Sequence, residues 1–291
     1  MNRITEPGFY PDMPEAIYRA DPCPTPALSN SVIKVLVSGS PLHAWASHPR
    51  LGKRQEEEKE QTKATLFGEL VHKLVLGRGR DIAVSPYDSF RTNEAKEWKR
   101  LQAQQGKIIA KQEWIDEAGE VVKSVRKSLA DLDLSHVFSD GPTEVVAIWK
   151  SGEVWCKAMM DFPHWPTATI WDLKTCDSAN PRALKSKVPN FGYDSQAVFY
   201  RRGAGILKPE LLGRIKFRFV FVETSYPYAV TVAELDNEVE AIAESKVCRA
   251  IATWKNCLAL DRWPAYSSEV VKIESQPWAL TQEFGEKAVE P

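Results

Sequence analysis

Six residues, Ile170-Trp171-Asp172-Leu173-Lys174-Thr175, set a carboxylate and an ammonium two positions apart inside an apolar, β-branched run. Such a run reads as a strand entering a core. Side chains two apart on a strand share a face, so Asp172 and Lys174 point the same way. A carboxylate at a buried edge is costly unless something recruits it. Asp161, eleven residues upstream, offers a second hard oxygen donor. A divalent metal held by Asp161 and Asp172, with Lys174 beside the reacting group, supplies the reason for both. The chemistry this suits is phosphodiester cleavage, which needs charge neutralised in the transition state, water activated and the leaving oxygen stabilised. Mg²⁺ or Mn²⁺ can do all three, and hard cations prefer carboxylate oxygens. Glu144 adds a third carboxylate. With neighbouring strands about 4.8 Å apart, Glu144, Asp161 and Asp172 on three successive strands can converge on one ion. Lys174 then orients the attacking water or stabilises developing negative charge.

The elements that must position these groups follow from pattern. Residues 1–27 are rich in proline and turn formers and read as an extended lead-in. Ser29 caps a helix running to about Ser38, and Ser40-Pro41 reads as an N-cap followed by proline at N1 of a second helix. Gly52 to Lys63 is a dense charged run, an exposed loop or helix end. Phe67, Leu70, Val71, Leu74 and Val75 recur at helical spacing between Ala64 and Leu76, and Gly77 ends that helix. Gly68 and His72 lie on one of its faces. Asn93–Ala110 and Gln112–Leu129 read as two more helices, interrupted near Gly106. After Gly141-Pro142 the pattern changes to strands: Thr143–Lys150, Val154–Met160 and Thr169–Thr175, with Ser151-Gly152 as a hairpin turn. A helix over 194–202 and strands Lys216–Glu223 and Tyr228–Leu235 follow. A long helix then starts at Asp236 with Val239, Ile242, Val247, Ile251, Trp254 and Leu258 on one side. Helices before a mixed sheet, with helices between its later strands, predict one α/β domain.

The order His72, Glu144, Asp161, Asp172-Leu173-Lys174 and Gln196-Ala-Val-Phe-Tyr200 resembles the PD-(D/E)XK nuclease superfamily. Within it the chain looks most like the RecE-type exonucleases (exodeoxyribonuclease VIII) of phages and prophages. Gly68-Glu-Leu-Val-His72 resembles the helical G-x-x-x-H element of RecB- and RecE-like nucleases. Trp155-Cys156-Lys157-Ala158 leading to Asp161 resembles their C-K-x-x-x-D strand, and Tyr193-Asp-Ser-Gln196 through Tyr200 resembles their Q-x-x-x-Y helix. The likeness spans about Leu28 to Leu235. One departure is Met159-Met160, where many relatives carry an arginine shortly before the aspartate. The resemblance implies a nuclease core of central mixed β-sheet flanked by helices, elaborated by N-terminal helices. Together with the pattern along the chain, this gives the lead-in 1–27, one nuclease domain over 28–263 (a helical part 28–140, then the catalytic sheet and helices 141–263), and an irregular tail 264–291. The resemblance further implies that His72, Asp161, Asp172 and the Leu173 carbonyl ligate the metal, with Glu144 helping directly or through water. Lys174 is then the catalytic lysine, and Gln196 and Tyr200 bind DNA or brace the site. Family members degrade linear double-stranded DNA from 5′ ends. They leave 3′ single strands for an annealing protein of RecT type, and form ring-shaped homo-oligomers around DNA. Two rivals stand beside this reading: a RecB- or Cas4-like nuclease with single-strand or endonucleolytic preference, and a catalytically silent nuclease fold that binds DNA as a scaffold.

Composition narrows the setting. The chain has 291 residues, 43% of them hydrophobic, with ten Trp. No apolar run approaches the roughly 20 residues that cross a bilayer, and Met1 to Pro14 lacks the apolar core of a signal peptide. A cytoplasmic protein without membrane contact is the expectation. The five cysteines, Cys23, Cys156, Cys176, Cys248 and Cys257, show no C-x-x-C spacing. They read as reduced thiols and not as a disulfide framework, zinc ribbon or iron–sulfur ligand set. The net charge of −1 gives no global sign of nucleic-acid binding. Nine Lys/Arg between Arg182 and Arg218, against Asp194 and Glu210, form a local excess. That excess either contacts phosphates or solvates a face.

Overall fold

A computed structural model describes residues 3–52 and 62–284; most of the charged run expected between Gly52 and Lys63, and the end of the tail, lie outside them. In the lead-in, β1 (Gly8–Tyr10) and α1 (Glu15–Arg19) precede α2 (Asn30–Ser38) and α3 (Pro41–Ser47). The Ser40 hydroxyl accepts from the His43 N–H and proline stands at N1, so α3 starts as its sequence predicts. In α4 (Lys63–Leu76) Thr62 accepts from the Thr65 N–H, and Gly77 closes the helix at φ +72°, a conformation a side chain would strain. Next come β2 (Ile82–Val84), α5 (Asn93–Gln104), β3 (Ile108–Ala110) and α6 (Gln112–Asp131). The strand-rich half holds β4 (Val145–Ser151), β5 (Val154–Met160), β6 (Phe162–His164), β7 (Thr169–Cys176), α7 (Pro181–Asn190), α8 (Tyr193–Leu207), β8 (Lys216–Glu223) and β9 (Val230–Ala233). The chain continues as α9 (Asn237–Leu260), capped by Asp236, and α10 (Pro277–Phe284).

The strands form separate ladders. One sheet runs β1-β4-β5, another β6-β7-β8-β9, and β2 pairs with β3. In the four-stranded sheet β7 and β8 are parallel, while β6 and β9 run antiparallel to their neighbours. The β7–β8 crossover carries α7 and α8, as a parallel pair requires.

Two apolar clusters cover this sheet. On one side Phe199, Ala204, Val247 and Trp254 pack with Ile170, Phe219 and Phe221, joining α8 and α9 to the sheet. On the other Phe67, Leu70, Val71, Val121 and Val125 pack with Trp171, Leu173, Val220 and Val222, so α4 and α6 form the opposite layer. The predicted central mixed sheet flanked by helices is therefore present, with N-terminal helices packed on it.

Four expectations are corrected. Asn93–Ala110 is not one helix: α5 stops at Gln104, Gly106 takes φ +71°, and Ile108–Ala110 turns into a strand paired with Ile82–Val84. The lead-in is not merely extended, since it contains helix α1 at Glu15–Arg19, while its extended part, Gly8–Tyr10, pairs with β4. The segment after Trp263 is not wholly irregular, because it contains α10. The apolar stripe of α9 is rotated from the one expected: Ala243, Val247, Ala250, Trp254 and Cys257 are buried, whereas Ile242 is 57% exposed. No helix among the described residues is long and apolar enough to cross a membrane.

Candidate metal and phosphodiester site

The site is built around the peptide of Leu173. Helix α4 approaches β7 closely because Gly68 has no side chain; a Cβ there would lie 2.9 Å from Thr175 Oγ1. One turn further, His72 Nε2 donates to the Leu173 carbonyl at 2.8 Å. An imidazole donating from Nε2 presents a lone pair at Nδ1 unless it is doubly protonated. His72 Nδ1 faces Asp161 Oδ2 across 3.9 Å. On the other side of the peptide, the Leu173 N–H donates to Asp161 Oδ2 at 2.9 Å. Asp161 stands in the break between β5 and β6, and β6 pairs Phe162 with Trp171. Continuing that register by one residue sets Asp161 opposite Asp172.

Asp172 is 1% exposed. Its Oδ2 accepts from Gln196 Nε2 at 2.6 Å, and its Oδ1 is ion-paired with Lys174 Nζ yet receives no well-angled hydrogen bond. Burial pushes the Asp172 carboxyl up to about 6 against the opposing pull of Lys174. Burial works against the Lys174 charge too, but Asp172 and Asp161 outweigh it and hold the ammonium above the ordinary lysine range. The shared strand face expected of Asp172 and Lys174 is thus present and ion-paired.

Glu144 is placed differently from expectation. It precedes β4, takes φ +53°, and donates its N–H to the Asp161 carbonyl at 2.9 Å. Three carboxylates do not line one face of three successive strands: β4 and β5 belong to one sheet, β6 and β7 to another, and Asp161 sits at the joint. Burial raises the Glu144 carboxyl, and the nearby Asp161 raises it further. Gln196 reaches the site, but Tyr200, one turn along α8, is 7% exposed and packs edge-on against Phe217 with ring centroids 6.0 Å apart. Of its two expected roles, bracing fits that position and contact with DNA does not.

Lys157 of the expected C-K-x-x-x-D strand also turns elsewhere. It enters a buried cluster with Asp21, 3.7 Å away, which is itself 3.2 Å from Arg50 and 3.6 Å from His48. Much of the basic excess between Arg182 and Arg218 is neutralised: Lys187 pairs with Asp177, Arg201 with Glu240, Arg202 with Glu244, Lys208 with Glu210 and Arg218 with Glu234. In these five the charge is taken up by carboxylates of the chain itself, an outcome that neither expected role describes.

Sequence reasoning missed two supports. Lys246 of α9 pairs with the buried Asp194 at 2.6 Å, fixing the first turn of α8 and hence Gln196. Tyr193 lies under Lys174, whose Nζ is 5.0 Å from the ring centroid. A 52-residue separation hid the first, but the aromatic pair Phe191 and Tyr193 around Gly192 was a visible signal for the second.

The donors fit a hard divalent cation. They are carboxylate and carbonyl oxygens with one imidazole, and the buried Asp172 Oδ1 has the Lys174 ammonium as its close partner. No three His, Cys, Asp or Glu side chains among the described residues already stand at ligand spacing. The donors come instead as the His72–Asp161 pair, the Leu173 carbonyl with its second lone pair, and Asp172 behind it.

Residues 29–276 match a family described as a PDDEXK-like domain of unknown function (DUF3799). No curated protein matches the chain. Among solved structures, a Eubacterium rectale protein whose name designates it provisionally as an exonuclease superposes with a TM-score of 0.57 at 15% identity, covering 89% of this chain and 94% of that one. A phage related exonuclease from Haemophilus somnus gives a TM-score of 0.26 at 13% identity, over 67% of this chain and 95% of that one. The first likeness speaks for the fold alone, and the second carries no argument.

Proposed function

This chain belongs to that PDDEXK-like family, and we propose that it is a metal-dependent exonuclease of RecE type, degrading linear double-stranded DNA 5′ to 3′. The PD-(D/E)XK α/β core is common ground; the reaction, its polarity and the residue roles are the proposal. The observation that carries it is the Leu173 peptide, which ties His72 and Asp161 together while Asp172 and Lys174 flank it on the same strand.

In this reading His72, Asp161, Asp172 and the Leu173 carbonyl hold Mg²⁺, with Mn²⁺ as a substitute, and Glu144 assists directly or through water. When bound, the ion polarises the phosphodiester and makes water a nucleophile at neutral pH. Lys174 keeps its proton, so it acts by donating hydrogen bonds to negative charge developing at the phosphate and not as a base. Gln196 fixes the Asp172 carboxylate by a hydrogen bond to Oδ2, and Tyr200 holds α8 against β8 from the core. The attack is direct, with no covalent enzyme intermediate. The 3′ single strands left behind suit an annealing protein of RecT type, and a ring-shaped homo-oligomer enclosing DNA belongs to the same reading.

The test compares 5′-labelled linear, 3′-labelled linear and closed circular duplex DNA with Mg²⁺. Early release of the 5′ label, intact circles and arrest by EDTA are expected. Nicked circles would favour the RecB- or Cas4-like alternative. Binding without cleavage in Mg²⁺ or Mn²⁺ would favour the silent scaffold.

A further inference from the structure

Beside Lys174 the protein opens a cavity of about 310 Å³. Tyr193, Phe191, Thr175, Thr224 and Lys187 are among its walls. Tyr193 tilts against Phe219 and Phe221 of β8 at 6.0 and 6.1 Å, which anchors its ring. Phe191 stacks on Tyr193 with centroids 5.7 Å apart and planes 21° from parallel. Between them Gly192 takes φ +67°, and a Cβ there would meet Lys34 Cγ at 3.3 Å. Lys34 Nζ in turn lies 5.7 Å from the Phe191 centroid. Phe191 is 50% exposed. A single exposed apolar side chain needs no explanation. This one is different, because it forms the outer step of a continuous stack that ends under the lysine of the proposed active site.

An aromatic wall with the Thr175 and Thr224 hydroxyls around it matches a flat heterocycle. Lys187 is paired with Asp177, which also lines the cavity, so the anion joined to that heterocycle is left to Lys174 over the Tyr193 ring. At about 310 Å³ the cavity is at the small end of the roughly 300–1,000 Å³ of small-molecule sites, suited to one nucleotide. A terminal base that is still paired keeps its edge on its partner, and the joined pair is too large for a cavity of this size, so the base must be unpaired to enter.

We propose that this cavity takes the unpaired terminal nucleotide of a DNA strand, its base stacked on the Phe191–Tyr193 ladder. The scissile phosphate is thereby delivered to Lys174. The inference rests on the nuclease reading and extends it: the substrate is a frayed or single-stranded end, and the enzyme distinguishes it from a fully paired one. Phe191 and Tyr193 are positioning residues, since they hold the base and not the reacting phosphate.

The test has two arms. In the first, an oligonucleotide duplex carrying unpaired 2-aminopurine at its end, a base whose fluorescence is quenched by stacking, is titrated with protein in EDTA. Quenching by wild type that is lost in Phe191→Ala and kept in Phe191→Trp is expected. In the second, Mg²⁺-dependent hydrolysis of frayed and blunt ends is compared. Phe191→Ala should raise KM on frayed ends about 5- to 150-fold, the range set by stacking one base on an aromatic ring, with kcat within about twofold. Identical fluorescence for wild type and Phe191→Ala, or an unchanged KM, overturns the proposal. Quenching as described with no hydrolysis of any DNA would instead sink the nuclease reading and leave the base pocket standing.

Discussion

Replacing Gln196 with leucine removes one of the two partners of Asp172 while keeping similar bulk. The lost contact is a 2.6 Å hydrogen bond to a carboxylate that is 1% exposed, so water cannot replace it. Hydrogen bonds to charged groups contribute about 1.5–3 kcal/mol. At about 1.4 kcal/mol per pKa unit, that loss lifts Asp172 by roughly one to two units. Starting from about 6, the variant carboxyl should titrate between about 7 and 8. Asp172 must be ionised to hold a cation and the Lys174 ammonium. At pH 7 the ionised fraction then falls from about nine-tenths to between about one-half and one-tenth. Nucleotide release at subsaturating Mg²⁺ should therefore drop about 2- to 10-fold at pH 7 and recover by pH 9. The assay is kcat/KM against pH on linear duplex DNA for both proteins. An acid limb that stays where it is in Gln196→Leu would refute the assignment of that limb to Asp172.

Three further outcomes are expected. Gly68→Ala sets a Cβ 2.9 Å from Thr175 Oγ1, forcing α4 off β7 and carrying His72 with it; the destabilisation should be about 1–3 kcal/mol, Mn²⁺ affinity by calorimetry should fall, and adding Thr175→Ala should restore it. Lys246→Met strands the Asp194 carboxylate, which is 1% exposed, and should cost about 3–5 kcal/mol in urea unfolding; a loss below about 1 kcal/mol would contradict the pairing. Burial lowers His48 from 6.5 to about 4, so the unfolded chain takes up a proton that the folded one refuses. The His48 contribution is intact above pH 6.5 and declines as pH falls toward 4, by about 3 kcal/mol in all, and His48→Gln should flatten that slope in urea titrations between pH 7.5 and 4.5.

Much of the fold was legible where local pattern and tertiary context agree. Lys216–Glu223 is a strand buried at Phe217 and from Phe219 to Val222, and its run of apolar β-formers allows little else. Gly77 and Asp236 mark helix ends through backbone chemistry that is written in single residues. The failures are elements that exist only through partners. The three-residue β3 owes its form to β2, and β1 owes its form to β4; neither is long enough to announce itself by period. At the site, the two-residue period of a strand brought Asp172 and Lys174 together in the reading, and the helical turn placed Gln196. Glu144 escaped it because a positive φ in a glutamate has no sequence signature. The Asp161 position at a joint between sheets depends on where β5 ends and β6 begins, which composition does not mark.

The most direct measurement is nucleotide release from end-labelled linear duplex DNA in Mg²⁺ by wild type, Asp172→Asn and Lys174→Ala, with circular dichroism spectra taken on the same samples. The account predicts release by wild type alone, with all three proteins folded alike. Turnover at the wild-type rate by either folded variant would contradict it.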